Sequence, residues 1–128
     1  MQISGTELIE NFITDAQYSG GSVVIFGGTK QITVTGKTAD TSVAGVVSRD
    51  PGLTSSALAA HSLPVVLRGV TQVNVIGLVN PGDLLVTSYK TGFAQSVGAN
   101  QSYGSAVFAK ALTESTVEGE NTIYAVVI

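Results

Sequence analysis

The chain of 128 residues contains no cysteine and no tryptophan. Without thiols, disulfides and thiolate metal sites are excluded, and the redox compartment is left open. Histidine occurs once, at His61, so the histidine spacing of a zinc site is missing as well. Charged residues make up only 12% of the chain, about half the ~25% usual for soluble domains. The six basic residues, Lys30, Lys37, Arg49, Arg68, Lys90 and Lys110, are scattered under a net charge of −3. An electrostatic footprint for nucleic acid needs clustering, so no nucleic-acid partner is expected. No apolar run approaches the ~20 residues needed to cross a bilayer, because Gly, Thr, Ser or Asn interrupts each one, and no membrane insertion is expected. The N-terminus shows no basic region followed by a long apolar stretch, so a signal peptide is not expected either.

What remains is 44% hydrophobic, with a mean hydropathy of +0.36. A chain of this length forms one domain and buries roughly two-thirds of the surface its unfolded form exposes. So little charge on a domain of that size implies that part of its surface is covered in subunit contacts.

The organising stretch is Val70 to Val97, which reads as strand, turn, strand, turn, strand. Polar and apolar residues alternate from Gln72 to Ile76, as on a half-buried strand. Asn80-Pro81-Gly82-Asp83 then turns: Pro presets φ near −65°, Gly accepts φ > 0, and Asp bonds its own backbone. Leu84-Leu85-Val86 resumes the β pattern, Thr91-Gly92 turns again, and Phe93-Ala94-Gln95 follows.

Residues 1–19 form an N-terminal segment that fits either a short helix, with Thr6 as cap and Glu7 and Glu10 near its positive end, or an extended arm. Residues 20–128 read as a single all-β domain. Its further strands are Ser22–Phe26, Lys30–Thr35, Ser42–Ser48, Leu63–Val70, Ala106–Leu112 and Thr122–Ile128. Gly45 inside a strand predicts a bulge or a close backbone approach. Turns or loops are expected at Gly27-Gly28, 36–41, Arg49-Asp50-Pro51-Gly52, 98–104 and the acidic 114–121, and 53–62 fits a loop or one helical turn. Short strands at this spacing specify a compact sandwich or barrel-like domain, not βαβ units.

The residues that carry chemistry do not form a motif. His61 lies near Asp50, Ser55, Ser56 and Ser62 in the sequence, yet no G-x-S-x-G nucleophile elbow is present and a triad is defined by geometry. Gly27-Gly28-Thr29-Lys30 lacks the order of a phosphate loop and leads into a strand, so it reads as a turn. Asp15, Asp40, Asp50 and Asp83 each fall at a turn, where backbone bonding explains them. Tyr18, Tyr89, Tyr103 and Tyr124 are the residues to watch for sugar stacking, against the simpler reading of packing with the hydroxyl at the surface. No catalytic, cofactor-binding or metal-binding residue is assigned.

Taken in order, the motifs resemble the C-terminal domain of fibre-like structural proteins of tailed bacteriophages, including those infecting marine cyanobacteria. Asp15–Gly28, DAQYSGGSVVIFGG, matches that family's D-x-x-Y-x-x-G-[ST]-V-V-x-F-G-G opening, and Ala39–Ser48, ADTSVAGVVS, matches its D-x-x-V-A-G-V-V-S segment. Val65-Val66-Leu67, Val73-Asn74-Val75, Pro81–Val86 and Thr91–Ala94 follow the later strands, and Ala109–Leu112 and Asn121–Val127 the closing ones. The likeness runs from about residue 10 to the C-terminus. It departs from the family's N-P-[AG]-Y-x-M loop at Arg49–Thr54, and many members carry the domain at the end of a long fibre. The resemblance implies a non-catalytic virion structural protein without cofactor, usually a homotrimer meeting other virion structural proteins. It brings no motif-defined functional residues. The expectation is therefore a module of a tail fibre or related appendage. Its rivals are a capsid decoration protein, a fibre tip binding a host-surface glycan or receptor, and a polysaccharide hydrolase. The hydrolase would need two carboxylates about 5–9 Å apart.

Overall fold

The computed structural model describes residues 7–49, 61–98 and 102–128. Strand accounts for 49% of the structure and helical turns for 3%, in keeping with the all-β, barrel-like expectation. The elements in order are β1 (Leu8–Ile13), β2 (Val23–Phe26), β3 (Ile32–Thr33), β4 (Val43–Val47), β5 (Ser62–Ile76), β6 (Leu84–Thr87) and β7 (Ala94–Ser96). After a 3₁₀ turn at Gly104–Ala106 come β8 (Ala109–Ala111) and β9 (Glu120–Val127).

β5 is the axis of the molecule. The sequence splits this region into Leu63–Val70 and a second strand from Gln72, but the chain runs through without a break for 15 residues. Its first half pairs with β1 on one side and β4 on the other. Its second half pairs with β9 from Gly69↔Val127 to Ile76↔Glu120 and meets β7 in parallel at Val75↔Ala94. The change of partners falls at Gly69, whose φ is +116°.

The second half belongs to a closed five-stranded barrel, β5-β7-β6-β8-β9 and back to β5. Closure removes the free edges that an open sheet would expose. The first half belongs to the sheet β3-β2-β4-β5-β1. That sheet curls until its two ends touch, where Thr14 bridges Ile32 and the Gln31 amide donates to the Ile13 carbonyl at 3.0 Å.

Adjacent valines on the shared sheet serve two cores. Val23, Val46 and Val66 face the barrel and join Val73, Val75, Leu85, Phe108 and Ile123. Their neighbours Val24, Val47 and Val65 point the other way, into a smaller core with Ile32 and Leu63. A sheet buried on both faces needs apolar residues at every position rather than every second one, which is why these strands read as unbroken apolar runs.

Of the two forms open to the N-terminal segment, the described residues take the extended one and not the helix. Residues 8–13 form β1, paired along its length with β5. The amphipathic spacing of Ile9 and Phe12 suits a helix, but a strand lets Phe12 pack on the smaller core and meet Phe26 edge to face at 5.4 Å. Pairing with a long neighbouring strand outweighs weak local helix propensity. Thr6, the expected cap, lies outside the described residues, as do the turn from Asp50 and most of 53–62. Strand β8 is shorter than expected, because Gly104–Ala106 forms the 3₁₀ turn instead.

Candidate functional site

Asp15, Asp40 and Asp83 bond backbone as their turn positions predict, and Asp50 lies outside the described residues. Asp83 accepts the Asn80 amide at 2.9 Å and the Ser96 hydroxyl at 2.6 Å, and Asp40 accepts the Ser42 amide at 2.8 Å. Asp15 accepts from the Tyr18 hydroxyl at 2.6 Å and from Thr33 Oγ1 at 2.7 Å. Those two bonds hold the Asp15 carboxyl below its ordinary pKa, while burial and the same carboxylate push the Tyr18 phenol up. The trio ties the chain after β1 to β3. Its role is in holding the sheet ends together, and it takes Tyr18 out of consideration as a sugar platform.

His61 is exposed at the start of β5. Its backbone carbonyl accepts the Thr14 amide at 2.7 Å. Ser62 follows it inside the strand, and Asp50, Ser55 and Ser56 lie outside the described residues. Gly27–Lys30 forms the β2–β3 turn, closed by the Gly27 amide on the Gln31 carbonyl at 3.1 Å. Among the described residues no group of three His, Asp or Glu side chains could hold a metal ion, and no helix is long and apolar enough to cross a membrane.

The surface carries two features that local sequence patterns do not announce. The first is a polar row on the outer face of the β5–β9 ribbon. Gln72 donates to the Tyr124 hydroxyl at 3.1 Å, and Asn74 Oδ1 accepts from both Arg49, at 2.7 Å, and Thr122, at 3.0 Å. Cross-strand register brings these pairs together, and only the alternation of Gln72, Asn74 and Ile76 hints at it. Beside the row, Lys90 pairs with Glu120 at 2.9 Å and lies 5.2 Å over the Phe93 ring.

The second feature is apolar. Leu8, Ile13, Phe26, Leu78, Tyr89, Tyr103, Leu112, Val117 and Ile128 are all more than a third exposed. Near the C-terminal end of β9, a depression of about 270 Å³ is lined by Leu84, Gly104, Val107, Lys110 and Ile128.

No protein-family model matches the chain, and no curated protein matches it.

The four tyrosines thus divide. Tyr18 and Tyr124 are held by hydrogen bonds to neighbours, whereas Tyr89 and Tyr103 present their rings outward. The geometry offers surfaces for contact, built on a closed barrel, with the polar groups near them mostly engaged with one another.

Proposed function

We propose that this protein is a non-catalytic structural module of a tailed-phage virion, working as a homotrimer in a tail fibre or related appendage. The observation that carries the reading is the set of large apolar side chains left outside two well-filled cores, on a chain with only 12% charged residues. Scattered apolar residues are normal on a monomer, but here they stand on a surface with little charge to keep copies apart. The ordered motif likeness from Asp15 to Val127 supplies the virion and the number three, since a dimer is the default closed assembly. Other virion structural proteins are then its further partners.

Light scattering coupled to size exclusion at micromolar concentration tests the assembly. A mass near 39 kDa, three times the 13.1 kDa chain, is expected; 13 kDa defeats the reading. Fractionating heads from tails of the intact particle separates an appendage from a capsid decoration protein. A glycan-binding tip is the second reading, favoured by Tyr89, 69% exposed beside the Lys90–Glu120 pair. It predicts glycan-array binding that Tyr89→Ala abolishes.

A further inference from the structure

The two ends of strand β9 carry features of opposite character. At its C-terminal end is the depression lined by Leu84, Gly104, Val107 and Ile128, with Lys110 on its wall. Lys110 is exposed and has no acidic partner among the described residues. Beyond its N-terminal end is the loop between β8 and β9, which presents Val117, 46% exposed, next to the exposed Glu118. Leu78 is 57% exposed on the neighbouring segment, which the Val79↔Ser115 bridge brings alongside this loop. Glu114 adds to its negative charge. One end is therefore an apolar hollow with a cation, and the other an apolar knob with carboxylates.

Within one chain these cannot meet. Lys110 stands opposite Val126, while the loop joins β9 at Glu120, six residues further along. At about 3.3 Å per residue that is about 20 Å of extended strand, and β9 stays paired with β5 from Val127 to Glu120. A knob and a hollow that are complementary but separated on one subunit make a heterologous contact, which closes into a ring when the rotation permits.

We infer that Val117 of one copy seats in the Leu84–Val107–Ile128 hollow of the next, with Glu118 paired to Lys110. This rests on the homo-oligomer reading above and specifies its contact. Charge complementarity favours a second copy as occupant: among the residues lining the hollow Lys110 alone has a charged side chain, and the loop supplies an aliphatic side chain flanked by the matching carboxylate. The apolar part contributes the affinity and the ion pair sets the register.

Charge exchange tests it, read by light scattering across a dilution series, with circular dichroism as the check on folding. Lys110→Glu and Glu118→Lys are exposed substitutions, so the fold is expected to persist. Each alone should raise the concentration of half-dissociation by about tenfold or more, since like charges then face each other. The double variant should restore assembly. Carbodiimide treatment of the wild type should give a zero-length link between Lys110 and Glu118, joining light and heavy isotope-labelled copies. If the wild type assembles but all three variants dissociate as it does, the contact is overturned while the oligomer stands. Single variants that weaken assembly without rescue in the double variant overturn the Lys110–Glu118 pairing. A wild-type mass of 13 kDa overturns both.

Discussion

The carbonyl oxygen of Val66 occupies the space that a Cβ on Gly45 would need, with the Val65 side chain 3.0 Å away on the same side. β4 and β5 approach this closely where the pairing of β2 with β4 shifts register, between Val24 and Ile25. The sequence reading of Gly45 as a bulge or close approach is met here. Gly45→Ala forces backbone against backbone, which no side-chain rotation relieves, so a loss of roughly 1–3 kcal/mol or more is expected. Urea unfolding measures it, and a midpoint equal to wild type would show that the two strands separate without penalty.

Gly82 offers the contrasting case. It sits at φ +89° in the Asn80–Asp83 turn, and a Cβ there would meet nothing within 4 Å. The turn is closed by the Asp83 amide on the Asn80 carbonyl at 3.0 Å. Gly82→Ala should therefore lose only the conformational term, about 1–2 kcal/mol, without loss of packing. Thermal melting of the two alanine variants side by side should rank Gly45→Ala as the more damaging.

Asp15 should make stability depend on pH at the acid end. Its folded pKa lies below the ordinary 3.8 because the ionised form accepts the Tyr18 and Thr33 hydroxyls. A depressed carboxyl contributes stability that is present above its unfolded pKa and is lost as pH falls through the folded value. Melting temperature should drop as pH is lowered from about 4, and Asp15→Asn should flatten that drop. Tyr18→Phe should flatten it too, by removing the largest of the bonds that lower Asp15. Because Asp15 is fully exposed, the effect should also shrink in high salt.

His61 should be dispensable. Its contribution to the structure is the backbone carbonyl that accepts Thr14, which His61→Ala keeps. A change within about 1 kcal/mol is expected. Loss of a hydrolytic activity in that variant, with the fold intact by circular dichroism, would contradict the non-catalytic reading.

Several structural elements were legible because their causes are local. Val23–Phe26, Val43–Val47 and Leu84–Thr87 announce themselves as β-branched or aliphatic runs between turn residues. The Asn80–Asp83 and Gly27–Gln31 turns follow from where Pro, Gly and Asp sit. The N-terminal strand was half legible: the sequence left an extended arm open beside a short helix, because Leu8–Ile13 has no strict alternation, and pairing with the long β5 decided for the extended form. The surface features were hidden for a similar reason. Arg49, Asn74 and Thr122 are far apart in the chain and meet only through the β5–β9 register.

The sequence by itself determined that this protein is all-β, poor in charge and punctuated by tight turns, because strand propensity and turn chemistry act over a few residues. It also determined that several strands are apolar at every position. Only the tertiary structure decided what those strands face: one long β5 shared between a closed barrel and a curled sheet, with neighbouring valines sent into different cores. Which strand pairs with which, and in what register, depends on contacts between residues distant in the chain. No local pattern encodes those, and they place Lys110 and Val117 at opposite ends of the same hairpin.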